Sequence, residues 1–142
     1  MEVSQVFQPY QIVCLEHLGR YLYAEVIQIV ENRGMLWIRP LMLAVWPSDT
    51  RDPFQESPRS LYDLREGADL VWPIHLFRLA VDTEVISLFA QLENSASPAP
   101  ETAKMNHQQL RGFVQQVWHA YPHVFQKIGN GVPTEQGDPQ AD

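Results

Sequence analysis

Only one cysteine, Cys14, occurs among the 142 residues, so the chain can form no internal disulfide and no cysteine-based zinc site of its own. Lysine is nearly as scarce. Lys104 and Lys127 are the only two, within a balance of 10 basic against 17 acidic residues and a formal net charge of -7. Residues 1–92 carry 12 of the acidic and 7 of the basic groups, so the negative balance belongs to the body of the chain and not to a tail. Nucleic-acid binders gain most of their affinity by neutralising phosphates with a basic stripe, which makes a nucleic-acid partner unexpected. The glycines form no phosphate-cradling loop, and Ser48, Ser57, Ser60 and Ser87 lie outside any Gly-x-Ser-x-Gly turn. No window approaches about 18 consecutive apolar residues, which excludes a membrane-spanning helix. Met1 to Pro9 holds Glu2 and no basic cluster ahead of an apolar stretch. No secretion signal is expected, and a cytoplasmic location follows by default.

What is present reads as a single globular domain: 45% of residues are hydrophobic and 19% charged. Ile12 to His17 is rich in apolar and β-branched residues and predicts a strand, with Leu18-Gly19-Arg20 as a tight turn. Tyr21 to Val30 predicts a second, longer strand, closed by the turn chemistry of Glu31-Asn32-Arg33-Gly34. Met35 to Leu43 returns as a third, completing a meander. In the second strand Leu22, Ala24, Val26 and Val30 share one face, and Tyr21, Tyr23, Ile27 and Ile29 the other. Both faces are apolar, so something must cover the second: a helix of this chain, a partner, or a closed barrel with a bulge that swaps faces. Pro40 cannot donate to a ladder and marks an edge or a bulge.

Residues 44–60 form a long Pro-, Asp- and Ser-rich loop containing Trp46 and Phe54, two side chains poorly suited to water. Leu61 to Leu64 and Ala68 to Trp72 predict short strands, Pro73-Ile74-His75 a 3₁₀ turn, and Leu76 to Val81 a last extended segment. Asp82 or Thr83 then caps a short helix running to Leu92. Residues 94–104 have linker composition. The clearest helical pattern comes next, within 105–126, where Leu110, Phe113, Val114, Val117, Trp118 and Tyr121 share a face from about Asn106 until Pro122 ends the run. Residues 127–142 read as a disordered tail.

Few residues suggest chemistry. His119 and His123 are four apart, but Pro122 intervenes and no acidic or cysteine ligand sits at a matching spacing, so they read as surface histidines and no metal is expected. His17 and His75 are isolated and read as structural. Asp63, Glu66 and Asp69 could serve as an acid–base pair, yet fit better as a solvated hairpin end. Cys14, in an apolar run, reads as a buried, inert thiol. Arg39 and Arg78 stand inside apolar segments, where a guanidinium ordinarily has a carboxylate partner or lies on an aromatic ring; Glu25 and Asp63 are the internal candidates, and recognition of an acidic or aromatic partner is the alternative. No catalytic or cofactor-binding residue emerges.

The order of elements resembles the Src-homology-3-like small barrels: five short strands, a long loop and a 3₁₀ break before the last strand, over about residues 8–82. Leu61-Tyr62-Asp63-Leu64 echoes a peptide-groove motif of true Src-homology-3 domains. There it opens the domain, whereas here it comes after three strands, and no groove residue is carried across. The blocks Leu22-Tyr23-Ala24-Glu25-Val26-Ile27-Gln28 and Leu76-Phe77-Arg78-Leu79-Ala80-Val81-Asp82 are similar to short cyanobacterial proteins without an assigned activity, which implies a factor that assembles or regulates a larger complex. The expected fold is mainly β with a C-terminal α segment: a five-stranded Src-homology-3-like barrel with a short terminal helix over 8–93, a flexible linker over 94–104, an amphipathic helix within 105–126, and the tail.

By elimination the chain reads as a non-catalytic protein-interaction module that binds a protein partner. Tyr23, Trp37, Arg39, Trp46 and Phe54 are the candidate binding residues on the barrel, and Phe113, Val117 and Trp118 those on the last helix, which could also mediate self-association. A small-molecule binder or enzyme with a pocket under the 44–60 loop, near Asp63, His75 or Arg78, is the alternative, and a nucleic-acid-binding barrel the second.

Overall fold

A computed structural model describes residues 7–46, 60–94 and 100–125 of the chain. Six strands form one antiparallel sheet: β1 (Ile12–His17), β2 (Arg20–Val30), β3 (Met35–Val45), β4 (Ser60–Asp63), β5 (Leu70–Pro73) and β6 (Arg78–Leu79). Two helices come after them, α1 (Asp82–Asn94) and α2 (Pro100–Ala120). The meander over β1 to β3 falls where the apolar runs place it. Its first turn carries Leu18 at φ 50° and Gly19 at φ 78°, the paired left-handed conformation of a tight hairpin turn. The second turn is a 3₁₀ helix, Glu31–Arg33, ended by Gly34 at φ 65°. A side chain at Gly34 would be strained in that conformation.

The strands run in the order β4-β3-β2-β1-β6, and β5 pairs with β3 beside β4. The sheet is therefore open and has six strands, which corrects the expected closed five-stranded barrel. The backbone explains the difference. β4 and β5 divide the far edge of β3, with Met42 to Val45 pairing β4 and Met35 to Ile38 pairing β5. At the other end β6 is only two residues long; its Leu79 carbonyl accepts from Arg78 Nη1 (3.1 Å) and, just beyond it, the Val81 N–H donates to Glu84 (2.8 Å), which leaves little free edge for another strand.

Pro40 pairs with Ala24 beside the register shift at Tyr23/Ala24, the bulge alternative, and on its other side it falls in the gap between the β5 and β4 pairings, where β3 has no ladder partner. A second shift at Val26/Gln28 reverses the facing of the remaining residues of β2, and Ile29 packs with Val26 and not with Tyr23 as strict alternation implied. The 3₁₀ turn after β5 spans Ile74–Leu76, and the extended segment expected through Val81 shrinks to β6.

The chain's own helices pack on both apolar faces. On the first face Leu22, Ala24, Val26, Leu36, Ile38 and Leu43 pack with Leu110, Phe113 and Val117 of α2. On the second, Cys14, Tyr21, Tyr23, Met42, Ala44 and Trp46 pack with Val85, Leu88 and Leu92 of α1. Each fully buried large side chain contributes roughly 1.5–3 kcal/mol, enough to hold helices that would be marginal alone. α2 begins at Pro100, inside the stretch read as linker, and ends at Ala120; residues 122–125 form one further helical turn. Residues 95–99, most of the 44–60 loop and the tail 127–142 lie outside the described residues.

Candidate interaction surface

The second face of the sheet is covered over only part of its length. An 11-residue strand such as β2 or β3 is roughly 37 Å long, whereas the 13-residue α1 is roughly 20 Å. The 21-residue α2, at roughly 31 Å, comes closer to spanning the first face. Beyond the bulge at Tyr23/Ala24 the second face continues as Glu25 and Gln28 on β2, Trp37 and Arg39 on β3 and Val71 on β5, and among the described residues no buried cluster lies over it. Trp37 is 37% exposed and Val71 50% exposed.

Trp37 and Val71 stand directly opposite each other in the β3–β5 ladder. The neighbouring bond from Ile74 N–H to the Gly34 carbonyl sets the hydrogen-bonding phase, and it makes Trp37–Val71 a non-hydrogen-bonded pair, in which side chains approach most closely. Gln28 lies opposite Trp37 on the other side, and Glu25 opposite Arg39. Asp69, just before β5, locks the group. Its carboxylate accepts from Trp37 Nε1 (2.9 Å), from Arg39 Nε (3.0 Å) and from Arg39 Nη2 (3.3 Å). The bonds from Arg39 and then Trp37 hold the Asp69 carboxyl below the usual range, and Asp69 raises Arg39 in return.

Of the residues anticipated for binding, the structure brings Trp37 and Arg39 together on this surface. Tyr23 and Trp46 are buried beneath α1, and Phe113 and Val117 are buried on the side of α2 that packs on the sheet, so all four are out of reach of a partner while the helices are docked. Trp118 is exposed over half of its surface and stacks on Phe125, with ring centroids 4.4 Å apart. Phe54 lies outside the described residues. Val71 and Asp69 were missed as members of the surface. The outward signal was nevertheless present in Met35 to Leu43, where Trp37 and Arg39 alternate with the inward Leu36 and Ile38.

The ion pairs also differ from expectation. Arg39 pairs with Asp69, not Glu25. Arg78 pairs with Glu84 (2.9 Å) and Glu16 (2.8 Å), not Asp63, which belongs to Arg65 together with Glu93. Glu84 has a structural task. It sits in the first turn of α1, accepts the Val81 N–H in the reciprocal half of a capping box, and receives the Tyr23 hydroxyl (2.6 Å) from the sheet below. Burial acts to raise its pKa, but the bonds from Arg78, Tyr23 and Val81 overcome that and bring it down to about 2.

Asp63 and Asp69 do not form the acid–base pair considered for them. Asp63 and Asp69 are each bonded to a guanidinium, and both are held below the ordinary carboxylate range, the wrong direction for a proton donor near neutrality. Cys14 is buried, and burial pushes its thiol far up, leaving it protonated. A cleft of about 620 Å³ between the β1–β2 turn and α2 is lined by His17, Leu18, Gln115, Gln116 and His119; a smaller one of about 350 Å³ lies by Tyr10 and Ile86. Neither carries Asp63, His75 or Arg78. Among the described residues no three His, Cys, Asp or Glu side chains group as metal ligands, and no helix is long and apolar enough to cross a membrane.

Comparison with known proteins gives little. No protein family matches the sequence, and no curated protein does either. Among solved structures, kinase-associated protein B from Bacillus cereus is similar at 16% identity and a TM-score of 0.34, over 78% of this chain and 99% of that one. A likeness at that level transfers no role to any residue.

Proposed function

We propose that this chain is a non-catalytic protein-interaction module, an accessory, assembly or regulatory factor of a larger complex, that docks through the uncovered part of its sheet. One observation carries the reading: Trp37, held by Asp69 and directly opposite the half-exposed Val71, is presented on the part of the second face over which no buried cluster of the described residues lies. Exposed tryptophan and arginine in one pre-formed patch are the composition of an interface hot spot, and a ring already held in place loses little entropy on binding. The carboxylates committed to guanidinium partners and the buried thiol favour a binding role over a catalytic one.

The test is recovery of partners from native lysate by the full chain and by a Trp37→Ala, Val71→Ser variant. The variant is expected to lose at least one partner that the parent enriches. Equal recovery of every partner by both proteins would end the proposal.

A further inference from the structure

We infer that the partner presents a basic side chain to this surface, with an arginine or lysine cation seated against the Trp37 ring and its methylene stem along Val71. The inference rests on the interaction-module reading and adds the chemistry of what is bound. The ring is both presented and fixed, since Trp37 is 37% exposed and donates its indole N–H to Asp69 at 2.9 Å. A hydrogen bond from the indole N–H to a carboxylate polarises the ring toward greater electron density, which strengthens the field that draws a cation to its face.

Charge points the same way. On this half of the face two carboxylates, Glu25 and Asp69, stand against one guanidinium, Arg39. Arg39 and Asp69 neutralise each other through two bonds, and Glu25, opposite Arg39 in the ladder, is the surplus charge. Among the described residues of this patch, an acidic segment would meet no uncommitted cation. At longer range the net charge of -7 repels acidic partners and steers basic ones toward the chain. Val71, half exposed beside the ring, matches the aliphatic part of a long basic side chain, which covers apolar surface while its head stays solvated.

The experiment tracks the Trp37 indole N–H resonance of the full-length, isotopically labelled chain, identified by its loss in Trp37→Phe. The probes are a short peptide with a pair of arginines in an uncharged Gly/Ser/Leu background, the same peptide with citrulline at both positions, and a third with glutamate. The arginine peptide is expected to move the resonance saturably and to bind about 3- to 5-fold more tightly than the citrulline peptide, in line with an exposed cation–π contact. Trp37→Leu, which keeps an apolar group, should abolish that discrimination. Glu25→Gln should weaken the arginine peptide about 2-fold and flatten its salt dependence. Thermal unfolding of both variants checks that each is folded. Equal binding of arginine and citrulline peptides, or no shift with any peptide, overturns the inference. If the peptides are indistinguishable while Trp37→Ala still strips a partner in native lysate, the docking surface stands and only its preference for a cation falls. If Trp37→Ala strips none, the underlying reading falls as well.

Discussion

The two halves of the sheet's second face are built from the same strands and end differently. Over the half nearest β1, Tyr23, Met42 and Trp46 are sealed by α1; over the other half, Trp37 and Val71 remain in contact with water. Both carry tryptophan and aliphatic groups, but the covered half is otherwise apolar, whereas the open half adds Glu25, Gln28, Arg39 and Asp69. Length and register contribute as well. A 13-residue helix ends before an 11-residue strand does, and the bulges around Pro40 set which side chains point outward past that limit. The polar groups divide accordingly. Beneath α1 the Glu84 carboxylate is tied to Arg78, Tyr23 and the helix cap, whereas on the open half Asp69 orients a tryptophan that is left 37% exposed.

The comparison can be broken most severely from the first face, where α2 packs on the sheet. Phe113→Ala should destabilise the chain by about 3–5 kcal/mol in denaturant unfolding, because the residue is fully buried between α2 and the sheet. If the change cost less than about 1 kcal/mol, α2 would not be the lid the packing implies, and the first face would be as open as the second. On the covered half of the second face, Glu84→Gln should cost about 2 kcal/mol, the worth of hydrogen bonds to a charged group. The pH dependence has a definite sign. Glu84 ionises at about 2 in the folded chain against an ordinary 4.5, so its contribution is complete above about pH 4.5 and is lost as pH falls toward 2. Acid titration of stability should therefore be steeper for the parent than for Glu84→Gln over that window; parallel curves would remove Glu84 from the account.

A smaller effect is expected where α2 meets the turn before β5. A Cβ at Gly67 would lie 2.5 Å from the His107 ring, so Gly67→Ala should cost about 1 kcal/mol. Adding His107→Ala should recover most of it, and additive losses in that double-mutant cycle would show the strain to lie elsewhere. The smallest change in stability belongs to the open half. Trp37→Leu should cost no more than about 1 kcal/mol, the worth of the one partly exposed bond to Asp69 that it removes. A loss of several kcal/mol would mean that Trp37 holds the fold together and is not displayed for binding.

The strands of the meander were legible because β-branched runs and turn residues are local signals. Ile12 to His17, the Leu18-Gly19 turn and the 3₁₀ break after Pro73 arise from backbone preferences of a few adjacent residues. The amphipathic stripe of α2 was equally readable, although its first turn at Pro100 was hidden in linker-like composition. Arg39 and Arg78 were recognised as needing partners, while the partners themselves were assigned wrongly. Asp69 and Glu84 come from turns and helix ends that reach the strands only after folding.

By itself, then, the sequence determined that both sheet faces had to be covered, that an apolar helix had to dock, and that the chain carries a negative field. All three depend on side-chain type and short-range periodicity. Tertiary structure alone decided which helix covers which face, that the sheet stays open, and that Trp37 is left outside when Trp46 is not. Those outcomes turn on the lengths of packed elements, on two register shifts, and on contacts between residues as far apart as Arg39 and Asp69, and no local pattern encodes such distances.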